Sequence, residues 1–357
     1  MKSLNLVKLF KQLNVLKLSN LLKLLTLVAF ISGCASAGHV IIDKEAMDRI
    51  LWPGPPETPR IKYQWSLSVV SGKQNGGLYE LIMGNEGDFA DPRSSPKLLR
   101  PYSLHVDGDN LYIADTGACR VTVIDMKELK ARNITSAGDK EFLAPVAVVA
   151  FEGMTYVSDS LLKKVFIFDK DGRLSGELKG TFQRPTALAI DKKRRILYVS
   201  DTPAHVVGRF GLTGASLGNL GRNGSDEGEF NFPTHLWVDD QGRLYVTDEL
   251  NFRIQMFSSE GKFIGMFGAP GDAPQNFQRP KGIATDSDGD VYVVDSVKDT
   301  IKIFSRQGEL LLFFGQEGRG YGDFYLPSGI FIGADDIIYI ADTYNGRVQV
   351  FQYMKKK

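Results

Sequence analysis

Leu111-Tyr112-Ile113-Ala114-Asp115 is the first of six occurrences of one pentapeptide, a tyrosine between two aliphatic or β-branched residues (threonine once) with an aspartate three positions on. The tyrosines are Tyr112, Tyr156, Tyr198, Tyr245, Tyr292 and Tyr339, and the aspartates are Asp115, Asp159, Asp201, Asp248, Asp295 and Asp342. Successive tyrosines are 44, 42, 47, 47 and 47 residues apart, a period that signals a repeat architecture. Each pentapeptide reads as a strand that ends in a turn, because β-branched and aromatic residues favour the pleat and aspartate favours the turn.

Working outward, every repeat opens on a proline: Pro101, Pro145, Pro185, Pro233, Pro280 and Pro327. A small-apolar strand such as Gly282-Ile283-Ala284-Thr285 follows, then a turn, the tyrosine strand, and two more strands such as Arg253 to Phe257 and Phe263 to Gly268. Four short antiparallel strands in about 45 residues make one propeller blade. Six openings therefore predict an all-β, six-bladed β-propeller. The last repeat stops at Phe351-Gln352-Tyr353 with three strands, whereas Ile61 to Val70, with Tyr63, Trp65, Leu67 and Val69 in alternation, is a strand to spare. As the outermost strand of blade six it would close the ring with residues from both ends and leave no open edge. Repeats begin near residue 98, and Ser71 to Leu98 reads as irregular.

The first 33 residues carry five lysines and no acid, followed by the short apolar run Leu24 to Ile31, well under the roughly 20 residues that span a bilayer. Ile31-Ser32-Gly33-Cys34 resembles the bacterial lipobox, which implies lipidation of Cys34 and a leader over residues 1–33. Ala35 after the cysteine resembles lipoproteins sent to the outer membrane. Cleavage after Ala35-Ser36-Ala37 is the competing reading. Residues 34–60, with Pro53, Pro55, Pro56 and Pro59, are expected as an extended tether, 61–353 as the propeller and 354–357 as a basic tail. Cys119 is then the one cysteine left, so no internal disulfide is expected. The overall charge is +1, which leaves −4 for the chain after residue 33 and disfavours nucleic acid as a partner.

Pro-x-Gly-Ile-Ala-x-Asp, then Leu-Tyr-Val-x-Asp, then Asn-x-Arg-Ile-Gln-x-Phe resembles the NHL repeat of six-bladed propellers, most clearly in Asp248 to Phe257 and Asp342 to Phe351. The resemblance spans about residues 98 to 353, with the first three repeats more degenerate. It implies a fold and a binding scaffold, since such propellers host protein binders, RNA binders, sensors and a few enzymes.

The six aspartates sit alike at strand ends, where a carboxylate accepts N–H groups of the following turn, so they read as architecture. The phenylalanines three residues before the prolines (Phe142, Phe182, Phe230, Phe277, Phe324, with Leu98 in the first repeat) read as core. Asp286-Ser287-Asp288-Gly289-Asp290 begins like a calcium loop but lacks the distal glutamate, and reads as a turn. Propeller lyases acting on peptidylglycine intermediates use a three-histidine zinc, and lactonase-like propellers use convergent carboxylates and amides. Here only His105 and His235 lie on first strands, at unlike offsets from their prolines, so no metal and no cofactor are expected and no catalytic residue is assigned.

Departures from the repeat carry the remaining information. Two residues after each proline come Ser103, Ala147, Ala187, His235, Gly282 and Gly329, so His235 stands out among small neighbours. One residue after come Tyr102, Val146, Thr186, Thr234, Lys281 and Ser328. Thr234, His235, Lys281 and Tyr102 are the candidate ligand-binding residues, placed at one channel mouth and suited to an anionic or polar group. Arg209 replaces an apolar blade residue, which calls for a buried carboxylate partner or a locally open blade. The function expected is a monomeric, lipid-anchored, non-catalytic scaffold that binds a protein or ligand of the bacterial envelope, with a metal-dependent lyase or lactonase as the alternative.

Overall fold

The computed structural model describes residues 39–70 and 92–355. The leader, Cys34 and most of the irregular stretch after the closing strand lie outside the described residues. Four separate four-stranded antiparallel sheets span residues 145–177, 185–220, 233–267 and 280–314. Two further blades, 101–134 and 330–353 with Ile61–Val70, are joined edge to edge, giving six in all.

Closure runs through the expected strand. Ile61–Val70 pairs antiparallel with Arg347–Tyr353, from Tyr353↔Ile61 to Val348↔Leu67. It is not the outer edge, however. His39–Asp43 pairs along its other side, from His39↔Val70 to Asp43↔Ser66, and touches blade one through His39↔Lys130. Residues 39–60 are thus part of the blade and not an extended tether. The prolines only interrupt the strand: Leu51–Trp52 pairs with Ile61 and Lys62 before the turn, and the Trp52 ring lies 5.3 Å from Phe314 and 5.8 Å from Phe351. Apolar Val40, Ile42 and Trp52 had a sheet edge and a core within reach, which outweighs the extended preference of a Pro-rich segment.

The repeat aspartates are fully or almost fully buried, as an architectural role requires, but their main partners lie ahead of the proline. Asp115 accepts the N–H groups of Leu99 and Arg100 at 2.9 and 2.8 Å, Asp201 those of Gln183 and Arg184 at 2.7 and 2.8 Å, and Asp342 that of Tyr325 at 2.9 Å. Each carboxylate therefore ties the tyrosine strand to the chain entering its blade. In blade four the Asn-x-Arg-x-Gln signature completes the knot. Asn251, Arg253 and Gln255 donate to Asp248 at 2.8, 2.8 and 3.2 Å, while Arg253 also binds the carbonyls of Ser225, Asp226 and Glu229. Blade six repeats this with Asn345, Arg347 and Gln349 on Asp342.

The phenylalanine ladder is buried throughout. Its rings explain the glycines of the inter-blade connections: at Gly268 (φ +101°) a Cβ would lie 2.5 Å from the Phe277 ring. The position four residues after each repeat aspartate varies in side chain but not in backbone. Cys119, Lys163, His205, Phe252 and Asp299 all take left-handed φ between 49° and 57°, as Gly346 does at 62°, so the turn dictates the backbone and accepts its cost.

Candidate functional site

In five blades the first strand starts with a register shift just after its proline, for instance between Pro101 and Ser103 and between Pro233 and His235. Proline lacks the ladder N–H, and a bulge there re-aims the following side chains. Tyr102, Thr234 and Lys281 are those bulged residues, and they turn toward the ring axis.

The axis joins what the sequence separates. Tyr102 of blade one meets His235 of blade four, the opposite blade, with ring centroids 5.6 Å apart. Lys281 Nζ lies 5.1 Å from the centroid of the Tyr102 ring. Thr234 Oγ1 is 3.3 Å from His235 Nδ1. His235 is 7% exposed, and its Nε2 is buried with no hydrogen-bond partner. Burial, with Lys281 adding to it, holds the imidazole down at about 3, so it is neutral near pH 7. Burial and then Arg279 bring Lys281 down to about 8, against the pull of Glu249. Desolvation raises the Tyr102 hydroxyl above the usual phenol range. Among the described residues no carboxylate lies within 4.0 Å of Lys281 Nζ, since Glu249 pairs with Arg279 at 2.9 Å. The four candidate residues thus form one cluster whose free polar groups are a lysine ammonium and an imidazole nitrogen.

A second layer crosses the channel deeper in, at the position four residues after the proline. It reads His105, Val149, Ala189, Trp237, Ala284 and Phe331. The Trp237 indole donates to Thr285 Oγ1 at 2.9 Å and packs edge-on against Phe331 at 5.6 Å. Phe331 in turn packs on His105, whose Nε2–H donates to the Ala150 carbonyl at 2.8 Å. The three large residues fill one side, and the small ones at Val149 and Ala189 leave a channel cavity of about 690 Å³. Like His235, this layer departs from the repeat in sequence, but at a different offset, four residues after the proline instead of two. Among the described residues no three His, Cys, Asp or Glu side chains gather as metal ligands.

Around the mouth lies a second feature the sequence did not disclose. Two residues after the repeat aspartates stand Leu161, Leu250, Val297 and Tyr344, exposed by 46–64%. Nothing in the fold needs an apolar residue there, because blades one and three carry Gly117 and Pro203. Exposed Leu143 and Tyr325 stand beside two of them: Asp159 takes the N–H groups of both Leu143 and Leu161, and the Tyr325 and Tyr344 rings are 5.5 Å apart. Arg100 lies over Tyr344 and Arg184 over Phe232, at 5.2 and 5.9 Å. Among the described residues Arg209 has no carboxylate partner. It is half-buried and donates to the Leu217 carbonyl at 3.1 Å. Cys119 Sγ contacts the Leu143 carbonyl at 3.3 Å.

Residues 324–351 match the NHL repeat, and residues 223–301 match a family described as 6-bladed beta-propeller. The chain is a six-bladed β-propeller carrying NHL-type repeats. The propeller is similar to a Bacteroides thetaiotaomicron protein of unknown function (17% identity, TM-score 0.57, 73% of this chain and 71% of that one). It is also similar to an auxiliary nutrient binding protein from the same organism (13%, 0.58, 73% and 71%). Virginiamycin B lyase from Staphylococcus aureus matches too (15%, 0.52, 72% and 96%). No curated protein matches the sequence. At these identities the likeness of the propeller to solved structures is one of fold, which serves binders and enzymes alike.

Proposed function

We propose that this propeller is a non-catalytic recognition module of the bacterial envelope, held to the membrane by lipid on Cys34, and that it receives a carboxylate-bearing ligand or protein segment at the mouth formed by Tyr102, Thr234, His235 and Lys281. The observation that carries the reading is the convergence of Lys281 and the unpartnered His235 Nε2 on Tyr102, with no carboxylate among the described residues to satisfy them. A buried donor left unpaired is costly, and an incoming anion relieves that cost. The surrounding exposed Tyr325 and Tyr344 and the arginines stacked on aromatic rings are of the types enriched at protein contact surfaces.

Binding of citrate and of a glutamate–tyrosine copolymer, followed by calorimetry, tests the mouth. Affinity is expected to be flat with pH until Lys281 begins to lose its proton at about 8, then to fall by up to about tenfold per pH unit because binding must take up a proton. Lys281→Ala should remove both the binding and this dependence, and an unchanged affinity in that variant would overturn the reading. For the anchor, Cys34→Ser is expected to release the protein from the membrane fraction. Retention there would leave the lipid without a role.

A further inference from the structure

Blade three breaks the rule that the other blades follow around their repeat aspartate. In blades one, four, five and six a cation from the same blade reaches the carboxylate: Arg120 at 3.7 Å, Arg253 at 2.8 Å, Lys302 at 2.7 Å and Arg347 at 2.7 Å. Blade two needs none, because Asp159 takes four backbone N–H groups, from Leu143, Ala144, Leu161 and Leu162. Asp201 has only the two N–H groups of Gln183 and Arg184, is 5% exposed, and has no cation within ion-pair distance among the described residues.

The missing side chains can be named by register. Where blade four has Asn251, Arg253 and Gln255, blade three has Ala204, Val206 and Gly208. Part of the space they would fill is open: a cavity of about 320 Å³ lies against Asp201, Ala204, Val206 and Gly208, while the Phe210 ring takes the place of a side chain at Gly208. Its walls include Phe182 and Phe210, with centroids 5.6 Å apart, and Asn219. The neighbouring arginines do not fill it. Arg209 projects from the opposite face of its strand to Gly208, and Arg184 lies over Phe232.

We propose that this blade-three socket binds a guanidinium group supplied from outside the chain, in the place that Arg253 and Arg347 occupy in their own blades. The carboxylate of Asp201 would accept from the guanidinium edge, as Asp248 does from Arg253, and the phenylalanine rings would flank its plane. An arginine side chain of another polypeptide and free arginine offer the same chemistry. The site is separate from the channel mouth and stands independently of the function proposed there.

The test uses N-ethylguanidine, free arginine and an acetylated Gly-Arg-Gly amide as probes, with methyl NMR of Ala204 and Val206 as the readout. The wild type is expected to show saturable shifts of these methyl groups, with the capped peptide binding more tightly if the natural source is a polypeptide and free arginine more tightly if it is a metabolite. Asp201→Asn should weaken binding at least about tenfold. The variant Val206→Arg supplies the guanidinium that blade three lacks, leaves Ala204 as the reporter and spares Gly208, where a Cβ would lie 2.8 Å from the Phe210 ring; it is expected to melt higher than the wild type and to ignore all three probes. Absence of shifts in the wild type, or equal binding by the refilled variant, overturns the proposal. So does a refilled variant that melts lower than the wild type, because the socket would then not be shaped for the side chain it lacks.

Discussion

Replacing Arg253 by methionine is expected to cost about 3–5 kcal/mol of folding stability, the penalty for leaving one member of a buried charge pair alone. Arg253 is 7% exposed and Asp248 is not exposed at all. The substitution also strips a donor from three backbone carbonyls, at Ser225, Asp226 and Glu229, in the connection that enters blade four. Asp248→Ala should cost a similar amount, since it abandons Arg253 and the Asn231 N–H together. The two losses are not independent, so the double variant should fall well short of their sum. Urea unfolding of the three proteins measures this, and additive losses would show that the network is not the unit described.

Deleting residues 39–70 is expected to have the larger effect, namely loss of the closed monomer. Ile61, Tyr63 and Leu67 are completely buried in the last blade, and removing one such side chain already costs about 2–5 kcal/mol. Taking out the whole strand also uncovers Val348, Val350 and Phe351 along an unpaired strand, a template for association with other chains. The deleted protein should elute as oligomers or aggregate and lose its cooperative melt. A soluble monomer with an unchanged melting temperature would mean that the ring closes by another route.

The sequence disclosed what repeats and what departs visibly from the repeat. Six Tyr-x-x-Asp strands count the blades, and the truncated last repeat with the stray strand Ile61–Val70 foretells closure. His235, two residues after its proline, and Tyr102 and Lys281, one residue after theirs, were legible because each departs from its counterparts at that offset, and Thr234 because it adjoins His235. The fit of Tyr102 to His235 was not, since it depends on a bulge after the proline and on opposite blades meeting at the axis. The extended tether expected over 34–60 gives way to sheet over 39–60, because prolines report local stiffness and say nothing of a sheet edge waiting nearby. Arg209 drew attention as an added charge, whereas the more telling change in blade three is a set of absences at Ala204, Val206 and Gly208. Small residues leave no mark in a sequence until the side chains they replace are known to form a network.

The aspartate clamp has a consequence for how such a chain can change. Asp159 grips Leu143 and Leu161 by their backbone N–H groups alone, and Asp342 holds Tyr325 in the same way. Every amino acid except proline offers that group, so the clamp is blind to the side chains it displays. Surface identity can therefore drift, blade by blade, without loosening the frame. Selection for a new partner would be free to rewrite the mouth of this protein while the carboxylates beneath it stay as they are.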